Sequence, residues 1–149
     1  MPTFNEALLY GKQIEKLVLD RIREQDPFAV PIPGKFKQFD LYSPSTNTRI
    51  EVKSDQKSQH TNNFLIETYM YHKPSGILST EADIWVFYDG KNLVWVKPDK
   101  IKDLILEKGY QQRLITGKGD TEPKRCYLIP THEIYSISTK VESIHEDKS

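Results

Sequence analysis

The sequence predicts a single α/β domain: a mixed sheet of four or five strands flanked by helices. Three observations predict it. Residues 5–24 carry apolar side chains at helical spacing, later runs alternate apolar and polar residues with the period of a strand, and clusters of Gly, Pro, Asn and Asp separate them. At 149 residues the chain is long enough for one domain with a real core, and short for two. Its 37% hydrophobic and 11% aromatic content belongs to a folded chain rather than a disordered one.

The first helix has no proline, Gly11 is its one weak point, and Asn5 or Thr3 is placed to cap its start. At roughly 100° per residue, Leu8, Gly11, Val18, Leu19 and Ile22 fall on one stripe. Glu15 lies in the middle of that stripe, whereas Lys12, Lys16, Asp20, Arg23 and Glu24 lie elsewhere. An ionised carboxylate on a buried face costs on the order of several kcal/mol unless it is compensated. Lys12 could compensate it in an ordinary ion pair. A bound cation would do so better, and Lys53 is a further partner.

Asp26-Pro27 and Pro31-Ile32-Pro33-Gly34 then break the chain into an extended connection. A strand over 35–42, a turn at Ser43-Pro44-Ser45-Thr46-Asn47 and an antiparallel strand over 48–53 follow. In the first strand, Phe39 and Leu41 are expected on one face and Asp40 on the other. In the second, Ile50 and Val52 share the core face, leaving Glu51 and Lys53 side by side opposite. Pairing the two strands lets Asp40, Glu51 and Lys53 converge. Two carboxylates can hold a hard cation such as Mg²⁺, and an amine beside them can orient or help deprotonate a metal-bound water. Taken alone, Glu51-Val52-Lys53 equally fits a solvated strand face; Glu15 is what raises the constellation above that reading.

Residues 54–63 hold no apolar side chain and read as loop, with Lys57, Gln59, His60, Thr61 and Asn62 as polar donors. Such donors suit phosphate and base edges, as they suit any exposed loop. A strand over 64–71 places Phe64, Ile66, Thr68 and Met70 on one face, and Leu65, Glu67, Tyr69 and Tyr71 on the other. Glu67 there is a further acid, a partner for Lys53 or a solvated group. Lys73-Pro74-Ser75-Gly76 is a turn, plain or phosphate-gripping through Lys73, Ser75 and free amides. Residues 79–82 form one helical turn. Strands over 84–88 and 93–97 make a hairpin around Asp89-Gly90-Lys91-Asn92, with Trp85, Phe87 and Trp95 as core. Pro98-Asp99 opens a helix to 108 that presents Ile101, Leu104 and Ile105 and stops at Gly109. Lys108, Arg113, Lys118, Lys124 and Arg125, against Asp120 and Glu122, make that segment a backbone-contacting arm or a solvated loop. Short strands at 127–129 and 134–137 and a polar tail over 139–149 complete the chain, with the core about 4–108.

Several classes are disfavoured. One cysteine, Cys126, excludes an internal disulfide and a cysteine zinc cage, and its apolar neighbours make it a packed thiol. The four histidines His60, His72, His132 and His145 share no metal-ligand spacing. No glycine-rich phosphate loop is present, so no nucleotide cofactor is expected. Neither a leader nor an apolar run of ~20 residues occurs, so a soluble, cytoplasmic protein with no membrane association is expected. Net charge is zero, from 21 basic and 21 acidic side chains. That does not itself favour nucleic acid, although binding needs only a local patch.

The order of a helix bearing Glu15, a strand bearing Asp40 and a strand bearing Glu51-Val52-Lys53 resembles the PD-(D/E)XK nuclease superfamily. The resemblance covers roughly residues 4–90, with Phe39 where the family usually has proline. Thr61-Asn62-Asn63-Phe64-Leu65-Ile66-Glu67 and Lys73-Pro74-Ser75-Gly76-Ile77 are also similar to segments of small phage and mobile-element nucleases. The resemblance implies a restriction-endonuclease-like fold and metal-dependent hydrolysis of DNA phosphodiesters. Asp40 and Glu51, with the Val52 carbonyl, would ligate Mg²⁺, for which Mn²⁺ could substitute. Lys53 would position the attacking water, and Glu15 would complete a second, weaker metal site. Lys57, Thr61, Asn62, Lys73 and Ser75 would contact DNA, and a homo-dimer or homo-tetramer would serve double-strand cuts. Site- or structure-specific cutting, of restriction or homing type, is the expected activity. A Holliday-junction resolvase, a nuclease acting on RNA and a non-catalytic DNA-binding module of the same fold are the alternatives.

Overall fold

The computed structural model describes residues 4–34, 38–55, 58–117 and 120–144, with the side chains of residues 4–9 and of Gln59 left out of that description. In chain order the elements are α1 (Phe4–Arg23), β1 (Val30–Pro31), β2 (Leu41–Ser43), β3 (Thr48–Ser54), α2 (Ser58–Thr61), β4 (Asn63–Met70), β5 (Lys73–Pro74), a 3-10 turn (Gly76–Leu78), β6 (Ile84–Tyr88), β7 (Asn92–Val96), α3 (Pro98–Glu107), β8 (Gln112–Ile115), β9 (Lys124–Pro130), α4 (Thr131–Ile137) and β10 (Lys140–Ser143). The strands form a six-stranded mixed sheet, β1-β2-β3-β6-β7-β10, and a four-stranded antiparallel sheet, β5-β4-β9-β8. In the larger sheet only β3 and β6 run parallel. A parallel pair needs a long crossover, and the chain between them supplies it with α2, β4 and β5.

Each face of the larger sheet builds a core. On one, Ile14, Val18 and Leu19 of α1 pack with Leu41, Ile50, Val52, Val86 and Leu93. On the other, Trp85, Phe87, Val94 and Val96 meet Phe64, Ile66 and Ile129 of the smaller sheet, closed by Ile77, Ile101 of α3 and Ile134 of α4. Phe64 and Phe87 join the two sheets with ring centroids 4.7 Å apart. Trp85 to Tyr88 on β6 are all buried, as a central strand covered on both sides must be. No helix among the described residues is long and apolar enough to cross a membrane.

The mixed sheet flanked by helices is as expected, but it has six strands rather than four or five, and a second sheet lies against it. The strand expected over 35–42 is confined to Leu41–Ser43; residues 35–37 lie outside the described ones. Phe39 packs into the core facing the second sheet and Leu41 into the core under α1, so they do not share a face. Asp40 itself is still held between the neighbouring strands: Ile32 N–H donates to its carbonyl (2.8 Å) and its own N–H donates to the Ile50 carbonyl (2.9 Å).

The stretch read as loop after Ser54 contains α2, with Ser58 Oγ donating to the Asp55 carbonyl (2.7 Å) at its start. The helical turn expected at 79–82 lies earlier, at Gly76–Leu78. Residues 134–137 are helical, not extended: Ile134 and Ile137, three apart, share one face in a helix and not in a strand, both pack into the core between the sheets, and Pro130 sits at the N-cap. The polar runs Gln112–Ile115 and Lys140–Ser143 form β8 and β10, held by backbone ladders at sheet edges rather than by burial. Asn5 lies inside α1 rather than at its cap; Thr3 and the side chain of Leu8 are outside the described residues.

Two connections bear on the sites below. Asp26, just after α1, accepts hydrogen bonds from Ser43 Oγ (2.7 Å), Ser45 N (3.0 Å), Ser45 Oγ (2.7 Å) and Phe28 N (3.0 Å). The Ser43 hydroxyl, followed by those of Ser45 and the backbone amides, holds its pKa at about 2, against a desolvation that opposes them. This anchors the end of α1 to the tip of the β2–β3 hairpin. The β4–β5 hairpin, in turn, closes with Met70 opposite Lys73. Its two central residues, Tyr71 (φ 52°) and His72 (φ 62°), are both left-handed. That is the arrangement of a type I′ turn, which Asn-Gly adopts easily and an aromatic residue does not.

Candidate functional site

The β2–β3 ladder covers only residues 48–50 of β3, whereas β6 pairs with residues 50–54. Beyond Ile50, the β2-side edge of β3 therefore has no strand partner among the described residues. Asp40 stands at that edge. One step past the pair Leu41–Ile50, it lies beside Glu51, and Val52 N–H donates to its Oδ2 at 2.8 Å. Asp40 is 6% exposed. A carboxylate here replaces the ladder carbonyl that β2 no longer supplies, so its position follows from the early end of β2. A strand residue's N–H and C=O face the same neighbour, so the Val52 carbonyl lies on this edge as well.

Glu51 and Lys53 are half-buried on the face opposite Ile50 and Val52, as the alternation predicts. Lys53 Nζ lies 5.0 Å from the centroid of the Trp85 ring. That ring is fixed by its Nε1 donating to Thr80 Oγ1 (2.9 Å), and Trp85 pairs across the strands with Glu51. The aromatic face thus holds the ammonium close to the strand and to Glu51, an attraction worth about 0.5–2 kcal/mol.

Glu15 is half-buried on α1. Gly11, one turn earlier on the same side of the helix, approaches the end of β3 so closely that a Cβ there would sit 3.9 Å from Ser54 Oγ. Glu15 therefore comes from the α1 side of the sheet and Glu51 and Lys53 from the other, with the Asp40 edge of β3 between them.

Among the described residues, no group of three or more His, Cys, Asp or Glu side chains is arranged to hold a metal. This edge offers the Asp40 carboxylate and the Val52 main-chain carbonyl, with Glu51 on the adjoining residue of β3. Hard oxygen donors of this kind suit Mg²⁺, which is commonly bound through one or two carboxylates with water and substrate phosphate completing its shell.

The expected DNA-contacting residues fall differently. Lys57 lies outside the described residues. Thr61 and Asn62 are exposed at the end of α2, where the Asn62 carbonyl accepts from Thr131 N (2.9 Å) and ties this turn to α4. Lys73 is exposed on β5. The Ser75 hydroxyl is buried without a hydrogen-bond partner, so it does not face a phosphate. Glu67 is half-buried and pairs with Lys124 at 3.5 Å. Cys126 is the expected packed thiol, its pKa pushed up to about 11 by burial first and then by Glu67.

Sequence reading missed two features. Trp85 as a platform for Lys53 was hidden because its pairing with β3 depends on the crossover. The aromatic cleft around Tyr69 and Tyr71 was hidden because β8 and β9, which complete it, were not recognised together. No protein-family model, curated protein or solved structure matches the chain.

Proposed function

We propose that this chain is a Mg²⁺-dependent endodeoxyribonuclease with a restriction-endonuclease-like core. The observation that carries the proposal is the Asp40 carboxylate seated on Val52 N–H beside Glu51, at the edge of β3 that β2 leaves open. Asp40, Glu51 and the Val52 carbonyl would hold the ion, with Mn²⁺ as a substitute. When bound, the ion supplies Lewis acidity at the scissile phosphate and a nucleophile at neutral pH.

The protein's own groups do the rest. Val52 N–H fixes the Asp40 carboxylate, so its geometry is set before substrate arrives. Lys53, steadied on Trp85, places a positive charge where negative charge develops on the phosphoryl group and can donate a hydrogen bond to the attacking water. Glu15 approaches from α1 and adds a further acceptor for water near the same edge. The buried surroundings strengthen each of these interactions relative to bulk solvent.

The substrate is DNA, cut at a site or structure by a symmetric dimer or tetramer. Supercoiled plasmid incubated with Mg²⁺, with Mn²⁺ and with EDTA, beside an RNA control, tests the reading. Nicking or linearisation only with a divalent ion, lost in Glu51→Ala, is the expected result. Plasmid left intact under all conditions, or degradation of RNA alone, rejects it. Linear, single-stranded and four-way-junction substrates then separate site-specific cutting from Holliday-junction resolution.

A further inference from the structure

Where β4 turns into β5 and runs beside β9 and β8, the smaller sheet bears a cleft of about 500 Å³. That volume lies within the roughly 300–1,000 Å³ of small-ligand sites. Tyr69, Tyr71, His72, Leu114, Glu122 and Arg125 are among the residues that line it. Tyr69 and Arg125 pair across β4 and β9, and the guanidinium lies 5.7 Å from the centre of the Tyr69 ring. Tyr69 is 37% exposed and Tyr71 43%. Two aromatic rings and a stacked cation therefore face solvent together in one concavity.

The backbone adds an independent argument. Tyr71 and His72 hold the two left-handed positions of the β4–β5 turn, where glycine or asparagine is favoured. Local preference opposes Tyr-His there, so the account of these residues has to come from the side chains they present to the cleft. Tyr71 is further steadied by its hydroxyl, 3.1 Å from Thr121 Oγ1. A ring held rigid and open on one side is a stacking platform.

We propose that this cleft takes an unpaired nucleobase of a single DNA strand, stacked on Tyr71 and Tyr69 with the adjoining phosphate beside Arg125 and Lys73. Every base has a π-face, so such stacking is tolerant of sequence, and arginine adds cation–π attraction. The choice of DNA as ligand rests on the nuclease reading.

Binding is read as fluorescence anisotropy of a short labelled oligothymidine, in EDTA so that no cleavage intervenes, with a same-length duplex for comparison. The full-length protein is expected to prefer the single strand. Tyr71→Ala and Tyr69→Ala should each weaken that binding by roughly ten-fold. Tyr71→Phe, which keeps the ring, should bind as the wild type does, as should Leu106→Ala on the 84%-exposed surface of α3. The proposal is overturned if both alanine variants bind like wild type, if Tyr71→Phe loses as much as Tyr71→Ala, or if the cleft takes an unstructured polypeptide and no oligonucleotide. Plasmid cleavage with Mg²⁺, run on the same samples, separates the two readings. Unchanged binding with intact cleavage removes the cleft alone; tyrosine-dependent binding without cleavage removes the nuclease alone.

Discussion

The carboxylate of Asp40 is hydrogen-bonded to the backbone N–H of Val52, 2.8 Å away in the buried edge of β3. One group therefore has two separable duties, satisfying a main-chain donor and carrying negative charge. Asp40→Asn keeps an acceptor for Val52 N–H and removes the charge; its stability should stay within about 1 kcal/mol of wild type while plasmid cleavage disappears. Asp40→Ala leaves the donor unsatisfied and should lose about 1–3 kcal/mol as well. Urea denaturation beside the cleavage assay checks both. Full cleavage by Asp40→Asn would confine this aspartate to a structural role.

Lys53→Ala should lower cleavage by about a hundred-fold or more while DNA affinity in EDTA changes little. Lys53→Arg keeps the cation over Trp85 but not the compact ammonium, and should restore only part of the rate. Single-turnover rates at saturating Mg²⁺ give the comparison. A wild-type rate in Lys53→Ala would remove the lysine from the mechanism.

Asp26 makes a prediction in pH. Its pKa falls from 3.8 to about 2 in the folded protein, chiefly through the Ser43 hydroxyl. A group whose folded pKa is depressed stabilises fully above its unfolded value and loses that contribution as pH falls through the folded one. The Asp26 contribution should therefore be complete above pH 3.8 and fade towards about 2. Asp26→Asn, measured by urea midpoint against pH, should be less stable at neutral pH and show a shallower decline across that window.

Phe64 is fully buried against Phe87, at the junction of the two sheets. Phe64→Ala should cost about 3–5 kcal/mol, and both sheets should unfold together because one core serves both. Coincident transitions by near- and far-UV circular dichroism test this. Separate transitions would show two independent units.

The Tyr71-His72 turn carries local strain of about 1–3 kcal/mol per left-handed residue. Replacing the pair by Asn-Gly should raise the melting temperature and weaken oligothymidine binding at least as much as Tyr71→Ala does. A replacement that destabilises the protein would mean that the ring contacts outweigh the backbone preference.

Part of this architecture can be read directly from the chain. The face of α1, the alternation in β3 and the β6–β7 hairpin follow from periodicity, because each is decided by which side chains one buried face requires. Asp40 was identified by residue type and order, yet its strand was overextended, since where the backbone pairing ends is not a pattern in side chains. β8 and β10 escaped for the same reason: edge strands are held by main-chain ladders, and their side chains stay largely exposed, apolar Leu114 and Val141 included. Ile134 and Ile137, three apart, share a face only in a helix, and their packing together in the core between the sheets fits that period. The aromatic cleft depends on three strands far apart in sequence, which no local window contains.

Cys126 is the sole thiol of the chain, 2% exposed on β9, with a pKa near 11. At neutral pH it is protonated and out of reach of alkylating reagents, so its modification is a clock for the parting of β9 from its neighbours. Any cysteine introduced at the surface would be labelled long before it. The protein thus comes ready for single-site attachment of a dye or spin label, with no native residue to be removed first.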